Sequence, residues 1–416
     1  MKITKQITKF LLLFLLIELT NSQTSWVQQI SGTNQGLYSV YFTSTTTGYT
    51  VGQGGIIRKT TNGGTNWASV TSGTNNDLYE VFFIDATTGY VSGANGTIRK
   101  TTNGGTGWTA LTSGTNNTLY EIFFIDYNTG FVAGDNGTVR KTTNSGTTWT
   151  ALTSGTNQNL YEVQFIMTNV GYIVGEAGTI RRTTNGGTNW TQQTSGTNNS
   201  LLDVRFPKFS TVEELFAIGM GGTILKTTNS GTNWVQLTSG TTHDLYEIHF
   251  TYETVGYTVG ANGTILRTTN YGANWLALVS GTTNTLRSVF FPTPDVGYTV
   301  GLNGTILKTT TGFVGVEPSK NSVPYKYGLY QNFPNPFNPS TKINFQLPKS
   351  GYVKLSIFDA IGREIAVPVN GQMTAGTHEI EWPAPSGDAS NYPGGVYFYT
   401  LKSGDFTDTK KMVLVK

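Results

Sequence analysis

Four Tyr-Glu pairs recur along the chain: Tyr79-Glu80, Tyr120-Glu121, Tyr161-Glu162 and Tyr246-Glu247. A phenol beside a carboxylate could be a nucleophile with its base. Neighbours in a strand point to opposite faces, however, and the pair recurs at four places, so a structural role is expected. Basic residues recur too. Lys59, Lys100, Lys141, Arg182, Lys226, Arg267 and Lys308 form one series. One residue earlier stand Arg58, Arg99, Arg140 and Arg181, then Leu225, Leu266 and Leu307. Strand alternation places the two series on opposite faces. Ion pairing with Glu80, Glu121, Glu162, Asp203 and Glu247 of neighbouring strands is the expected role. The alternative is a lopsided cationic patch, Arg58 to Arg181, that holds an acidic partner or glycan.

Glycoside hydrolysis needs two carboxylates roughly 5–10 Å apart. Asp135, Glu176, Glu213, Glu214, Asp244 and Asp295 break the repeat, but in different units and loops. Asp135, Glu176 and Asp244 are kept as candidate binding residues. With no cysteine and only three histidines (His243, His249, His378), a thiolate zinc site, cysteine catalysis and a His-rich metal centre are excluded. No catalytic residue, metal or cofactor is assigned.

The elements that would position these side chains are β-strands. Charged residues make up 12 % of the chain, and 51 of 416 residues are glycine. That balance suits an all-β protein with many turns. Twenty-one Tyr and 22 Phe argue against disorder. Without Lys2, Lys5, Lys9 and Glu18 the net charge of +3 falls to +1, which gives no reason to expect nucleic acid as a partner. Those three lysines, the apolar run Phe10–Leu19 and Thr20-Asn21-Ser22 read as a signal peptide over residues 1–22. The run is too short to cross a bilayer as an anchor, and no later segment is long and apolar enough to span.

Tryptophan marks the repeat. Trp26, Trp67, Trp108, Trp149, Trp190, Trp234 and Trp275 are 41 residues apart, with one interval of 44. Each unit holds four short β-prone runs bounded by Gly, Asn or Asp, the pattern of a propeller blade. The last unit lacks its tryptophan strand, and the chain begins with an orphan one, Ser25–Ile30. Pairing the two closes a ring and removes both sheet edges. The expectation is seven blades over residues 23–313. Loops such as Gly73–Asp77 and Gly240–Asp244, and turns such as Gly93–Gly96, should share one face, which should bind the partner. The three-residue insertion around Pro207–Met220 is the one irregularity in loop length.

Lys59-Thr-Thr-Asn62-Gly-Gly64-Thr-Asn-Trp67 resembles the Asp-box (BNR repeat), with Asn at the Asp position in all six copies: Asn62, Asn103, Asn144, Asn185, Asn229 and Asn270. The resemblance implies a structural turn, which Asn supports by a side-chain bond to the backbone. The whole unit is most similar to photosystem II assembly and stability factor propellers. Relatives there carry a basic patch thought to bind their partner.

After residues 314–326, read as a linker, the composition changes. Asn335-Pro336-Phe337-Asn338-Pro339-Ser-Thr341, Gly395-Val-Tyr-Phe and Lys410-Lys-Met-Val-Leu closely resemble the C-terminal sorting domain of type IX secretion cargo. An immunoglobulin-like β-sandwich over 327–416 is expected, and the resemblance implies the secretion machinery as a partner. It also implies delivery to the outer surface of a Gram-negative bacterium, followed by removal of this domain. The expected function is non-enzymatic binding of a surface protein or glycan. The alternatives are a sialidase-like or xyloglucanase-like hydrolase or lyase, and an assembly factor that handles a membrane complex or pigment.

Overall fold

The structure is a computed structural model, and it describes residues 26–207, 214–252, 254–312, 327–332, 335, 337, 340–383 and 392–414. The signal peptide, the linker, residues 208–213 of the insertion and Pro336, Asn338 and Pro339 of the sorting motif lie outside the described residues. Two compact units divide at Gly315 and Val316.

The first unit contains seven four-stranded antiparallel sheets. Blade 2 is typical: Leu78–Phe83, Gly89–Gly93, Thr97–Thr101 and Thr109–Thr112, from the centre outward. The second strand of every blade is buried throughout, so it reads as an unbroken apolar run. The seventh sheet takes its outer strand from the other end of the unit. Val27 and Gln28 pair with Lys308 and Leu307. At the centre, the Val40 amide of blade 1 donates to Ser288 Oγ of blade 7 at 3.0 Å. The ring is therefore closed inside and out.

Adjacent blades meet through a repeated aromatic joint. Tyr49 of blade 1 stacks on Phe83 of blade 2 at 4.1 Å, and Phe83 meets Trp108 edge-on at 6.0 Å. The Tyr49 hydroxyl and Lys59 Nζ both donate to the Gly104 carbonyl, at 2.8 and 2.6 Å. Lys100, Lys141 and Lys308 make the same reach, to the carbonyls of Ser145, Gly186 and Gly63. The series that includes Lys59 thus clasps blade to blade.

Those carbonyls belong to the asparagine turn. Asn62 Oδ1 accepts from the Asn66 amide at 3.0 Å, and Thr60 Oγ1 accepts from the Gly64 amide at 2.9 Å. Asn103, Asn144, Asn185, Asn229 and Asn270 accept from the amide four residues on in the same way. Trp67, Trp108, Trp149 and Trp190 follow these turns and are buried, while Trp234 and Trp275 are partly buried against their neighbouring cores. Asn103→Ala is expected to cost about 1–2 kcal/mol, since its Oδ1 accepts from both the Gly107 amide and the Thr101 hydroxyl, and Asn103→Asp almost nothing. Urea unfolding of both variants checks this. Equal losses would show that the acceptor oxygen is not what matters.

The second unit is a sandwich of a three-stranded and a four-stranded sheet around Phe337, Ile343, Phe345, Leu355, Trp382 and Tyr399. Asn335 and Phe337 of the sorting motif lie against its last strand, Phe406–Leu414. Phe337 is 1 % exposed and meets Trp382 edge-on. The Phe337 amide donates to the Val413 carbonyl, and Asn335 Oδ1 accepts from the Val413 amide, both at 2.9 Å. Thr341 is buried and its hydroxyl accepts from Asn332 Nδ2.

Candidate functional site

The innermost strands do not alternate as simple strands. In blade 2, Leu78 pairs with Gly93, but Glu80 pairs with Ser92, so Tyr79 is an extra residue in a β-bulge. Blades 1 and 3–7 show the same shift. A Cβ on Gly93 would lie 2.2 Å from the Asp77 carbonyl oxygen, so glycine permits the close approach at the bulge. The consequence corrects the sequence reading. Tyr79 and Glu80 line the same space, not opposite faces.

That space is a cavity of about 520 Å³ on the ring axis, lined by residues of all seven blades. Tyr38, Tyr79, Tyr120, Tyr161 and Tyr246 form one layer of its wall. The first four follow one another with ring centres 5.4, 5.3 and 5.2 Å apart. The Arg287 guanidinium lies 4.1 Å over the Tyr246 ring. The next layer is acidic: Glu80, Glu121, Glu162, Asp203 and Glu247. Beyond it, Tyr41 packs on Phe82 and Phe290, and Phe82 on Phe123, forming an aromatic layer.

Arg205 stands in blade 5 where blades 2 and 3 carry Phe82 and Phe123. Its guanidinium reaches Glu162 at 2.7 Å, Asp203 at 3.3 Å and Glu247 at 3.5 Å, and Gln164 at 2.9 Å. Burial alone would lower its basicity, but Asp203, Glu162 and Glu247 outweigh that and hold it firmly protonated. Three acidic side chains of blades 4–6 thus share one cation. For Glu80 and Glu121, in blades 2 and 3, the pull of Arg205 is outweighed by burial and the neighbouring carboxylates. Burial and the charges of Glu247 and Glu162 hold Glu80 well above the glutamate range. Burial and the charges of Glu162 and Glu80 do the same to Glu121, which donates its proton to Glu162. Burial pushes Glu162 up to about 8 and Glu247 to about 7, against the pull of Arg205. Asp203 is raised by burial too.

The acids also have a structural task. Inner strands of adjacent blades share no ladder, so their outward amides need other acceptors. Asp203 Oδ2 accepts from the Ile248 amide at 2.8 Å, and Glu247 Oε2 from Val289 at 2.9 Å.

The arginine series is placed elsewhere. Arg58 Nη2 donates to the Gly32 carbonyl at 2.6 Å, and Arg140 to Gly114 at 2.5 Å. Arg99 and Arg181 bond Gly73 and Gly155 likewise. The expected ion pairs with the inner-strand acids do not form among the described residues, because those carboxylates face the ring axis and the guanidiniums face the inter-blade loops. Asp135 accepts from the Tyr120 hydroxyl at 2.8 Å, at the rim of the cavity. Glu176 occupies the same turn of blade 4 and accepts from the Asn159 amide. Asp244 accepts from the Gly221 amide and ties a loop to the neighbouring blade's turn, as Asp77 does with Gly54. Asp135 and Glu176 therefore sit beside the tyrosines, and Asp244 supports a loop. The sequence signal for Arg205 is its break with the repeat, a cation where blades 2 and 3 carry phenylalanine.

The architecture defines a class: a closed seven-bladed β-propeller joined to a C-terminal β-sandwich. The family model described as photosynthesis system II assembly factor YCF48 matches residues 66–156 and 141–289, and the chain belongs to that family. The model of the secretion system C-terminal sorting domain matches residues 331–416. Among solved structures, the chain is similar to "YCF48 bound to D1 peptide" (19 % identity, 70 % of this chain and 96 % of that one, TM-score 0.60). It is also similar to YCF48 from Cyanidioschyzon merolae (17 % identity, 68 % and 98 %, TM-score 0.60). A third is the WD40 β-propeller domain of Doa1 (12 % identity, 69 % and 95 %, TM-score 0.57). These likenesses bear on the fold alone. No curated protein matches the chain. The sorting domain marks it as cargo of the type IX secretion system, exported to the cell surface or beyond. Among the described residues, no helix is long and apolar enough to cross a membrane.

Proposed function

We propose that this chain is an exported, non-catalytic binding protein whose propeller docks a polypeptide partner over the mouth of its central cavity. The observation that carries the reading is the arc of Tyr38, Tyr79, Tyr120 and Tyr161, partly exposed and ordered by ring contacts on a rigid scaffold. Tyrosines of this kind give large contact area at low entropic cost. A similar propeller, YCF48, has been solved with a D1 peptide bound, which supports a peptide in preference to a glycan. The match to a sorting domain supports an interaction at or outside the outer membrane.

Peptide and glycan arrays on the full-length protein, with a reducing-sugar assay on every glycan hit, test this. The expected result is peptide binding without sugar turnover, weakened at least tenfold in Tyr79→Ala/Tyr120→Ala. Binding that ignores those changes but is lost on substitution of the asparagine-turn face would move the site. Turnover would favour a second reading. The Glu121–Glu162 pair, one carboxyl protonated beside another, has the composition of a retaining glycosidase couple, although Arg205 and burial occupy it.

A further inference from the structure

We propose that the tyrosine-rimmed cavity is a receptor for a primary ammonium group, carried by a lysine side chain of the docked polypeptide or by a free alkylamine. The lysine form rests on the docking reading above; the ammonium chemistry does not. The argument begins with charge. Five carboxyl groups line the cavity against two arginines; Arg205 is spent on Glu162, Asp203 and Glu247, and Arg287 lies over the Tyr246 ring. The side toward blades 2 and 3 holds Glu80 and Glu121, on which Arg205 acts at a distance while its close ion pairs go to Glu162, Asp203 and Glu247. Asp203, 1 % exposed, holds its Oδ1 in the cavity wall with Arg205 Nε at 3.3 Å as its ion-pair partner.

The aromatic arc lies over this same side. Tyr79 and Tyr120 precede Glu80 and Glu121 in the strands, so a guest passes between phenol faces before reaching the carboxyls. Ring faces attract cations, and more strongly where water is excluded. Arg287 on Tyr246 shows such a contact already formed at the mouth. The rim is acidic as well: Asp77 and Asp135 act on Tyr79, and Glu176 on Tyr161. A cation therefore meets negative charge at the rim, aromatic faces in the neck and carboxyls at depth.

The guest is an amine and not a metal ion because of the donors. Among the described residues no three acids or histidines are grouped to hold a metal. Tyrosine faces suit a cation on an apolar stem. A guanidinium is excluded by less, but Arg205 already fills the place where a planar fork meets three carboxylates.

Binding carries a proton signature. Glu80 and Glu121 face each other, Glu162, Asp203, Glu247 and Arg205 across the axis, with Tyr38, Tyr79, Tyr120, Tyr161, Tyr246 and Arg287 above. They are held protonated when the cavity has no guest cation, so an entering ammonium releases protons and binds more tightly as pH rises from 6 to 8.5.

Titration calorimetry of the full-length protein tests the proposal, with acetyl-Gly-Lys-Gly-amide, its norleucine counterpart, butylamine and calcium chloride as probes. The expected result is binding of the lysine peptide or butylamine, at least tenfold stronger than the norleucine peptide and stronger at pH 8.5 than at 6. Butylamine binding with no lysine-peptide binding assigns the free amine. Glu80→Gln/Glu121→Gln, matched in shape, should weaken it at least tenfold. Proton release, read in two buffers of different ionisation enthalpy, gives a readout on the unaltered protein should that variant misfold. No binding of either amine, equal binding of the norleucine peptide, calcium binding in their place, or indifference to the double variant would overturn the proposal. If amines fail while array peptides still depend on Tyr79 and Tyr120, the docking reading stands and only the ammonium receptor falls.

Discussion

Arg205→Met is expected to destabilise the propeller by about 3–5 kcal/mol at pH 8, because it leaves Glu162, Asp203 and Glu247 buried without their shared cation. The pH dependence identifies the cause. These carboxyl groups titrate higher in the folded chain than in the unfolded one. A group of that kind favours the folded state fully below its unfolded value, and the benefit is lost as pH rises through its folded value. For the native protein that window runs from the ordinary carboxyl range to about 7 for Glu247 and about 8 for Glu162. Without Arg205 the folded values move higher still, so the loss with rising pH is steeper. The cost should shrink to about 1 kcal/mol at pH 5, where protonation replaces the missing cation. Arg205→Lys should recover part of the loss by charge alone, without the forked geometry. Urea unfolding at pH 5 and 8 measures all three. An equal penalty at both pH values would mean that packing, not charge, is what Arg205 contributes.

The second large effect lies in the other unit. Phe337→Ala should cost the sandwich about 3–5 kcal/mol, the usual loss for a buried Phe truncated in a core. It removes the edge-on contact with Trp382 beneath the crossing segment that ties Phe337 and Asn335 to Val413. Delivery to the surface should fall with it, because the segment that resembles a sorting signal is also what fastens the last strand. Immunoblots of cell-associated and surface or medium fractions measure delivery, with exposed Tyr352→Ala as a control expected to behave as the native chain. Normal export of a demonstrably unfolded Phe337→Ala sandwich would show that the machinery reads the motif as a linear sequence.

The repeat, its four strands and the sorting module were legible from residue spacing, because each depends on local patterns. Tryptophan every 41 residues, an asparagine turn before it and glycine at strand ends are short-range features, and the blade they specify is nearly the same each time. Side-chain direction was less legible. The arginines and inner-strand acids are separate series in the sequence and look complementary in charge. Pairing them required knowing where each strand points, and the bulge at Tyr79 turns the acid inward. The signal for that bulge was present in Gly93, the residue whose missing side chain admits the Asp77 carbonyl.

By itself, then, the sequence determined that the chain is all-β, that its blades repeat, and that its C-terminal domain is an export module. These follow from periodicity and from motifs read along the chain. Only the tertiary structure decided that Glu80, Glu121, Glu162, Asp203 and Glu247 meet, that Arg205 pairs with three of them, and that tyrosines rim the same cavity. The physical reason is ring closure. Residues about 41 positions apart become neighbours only when seven blades turn back on themselves, and the energetics of a buried charge depend on those neighbours.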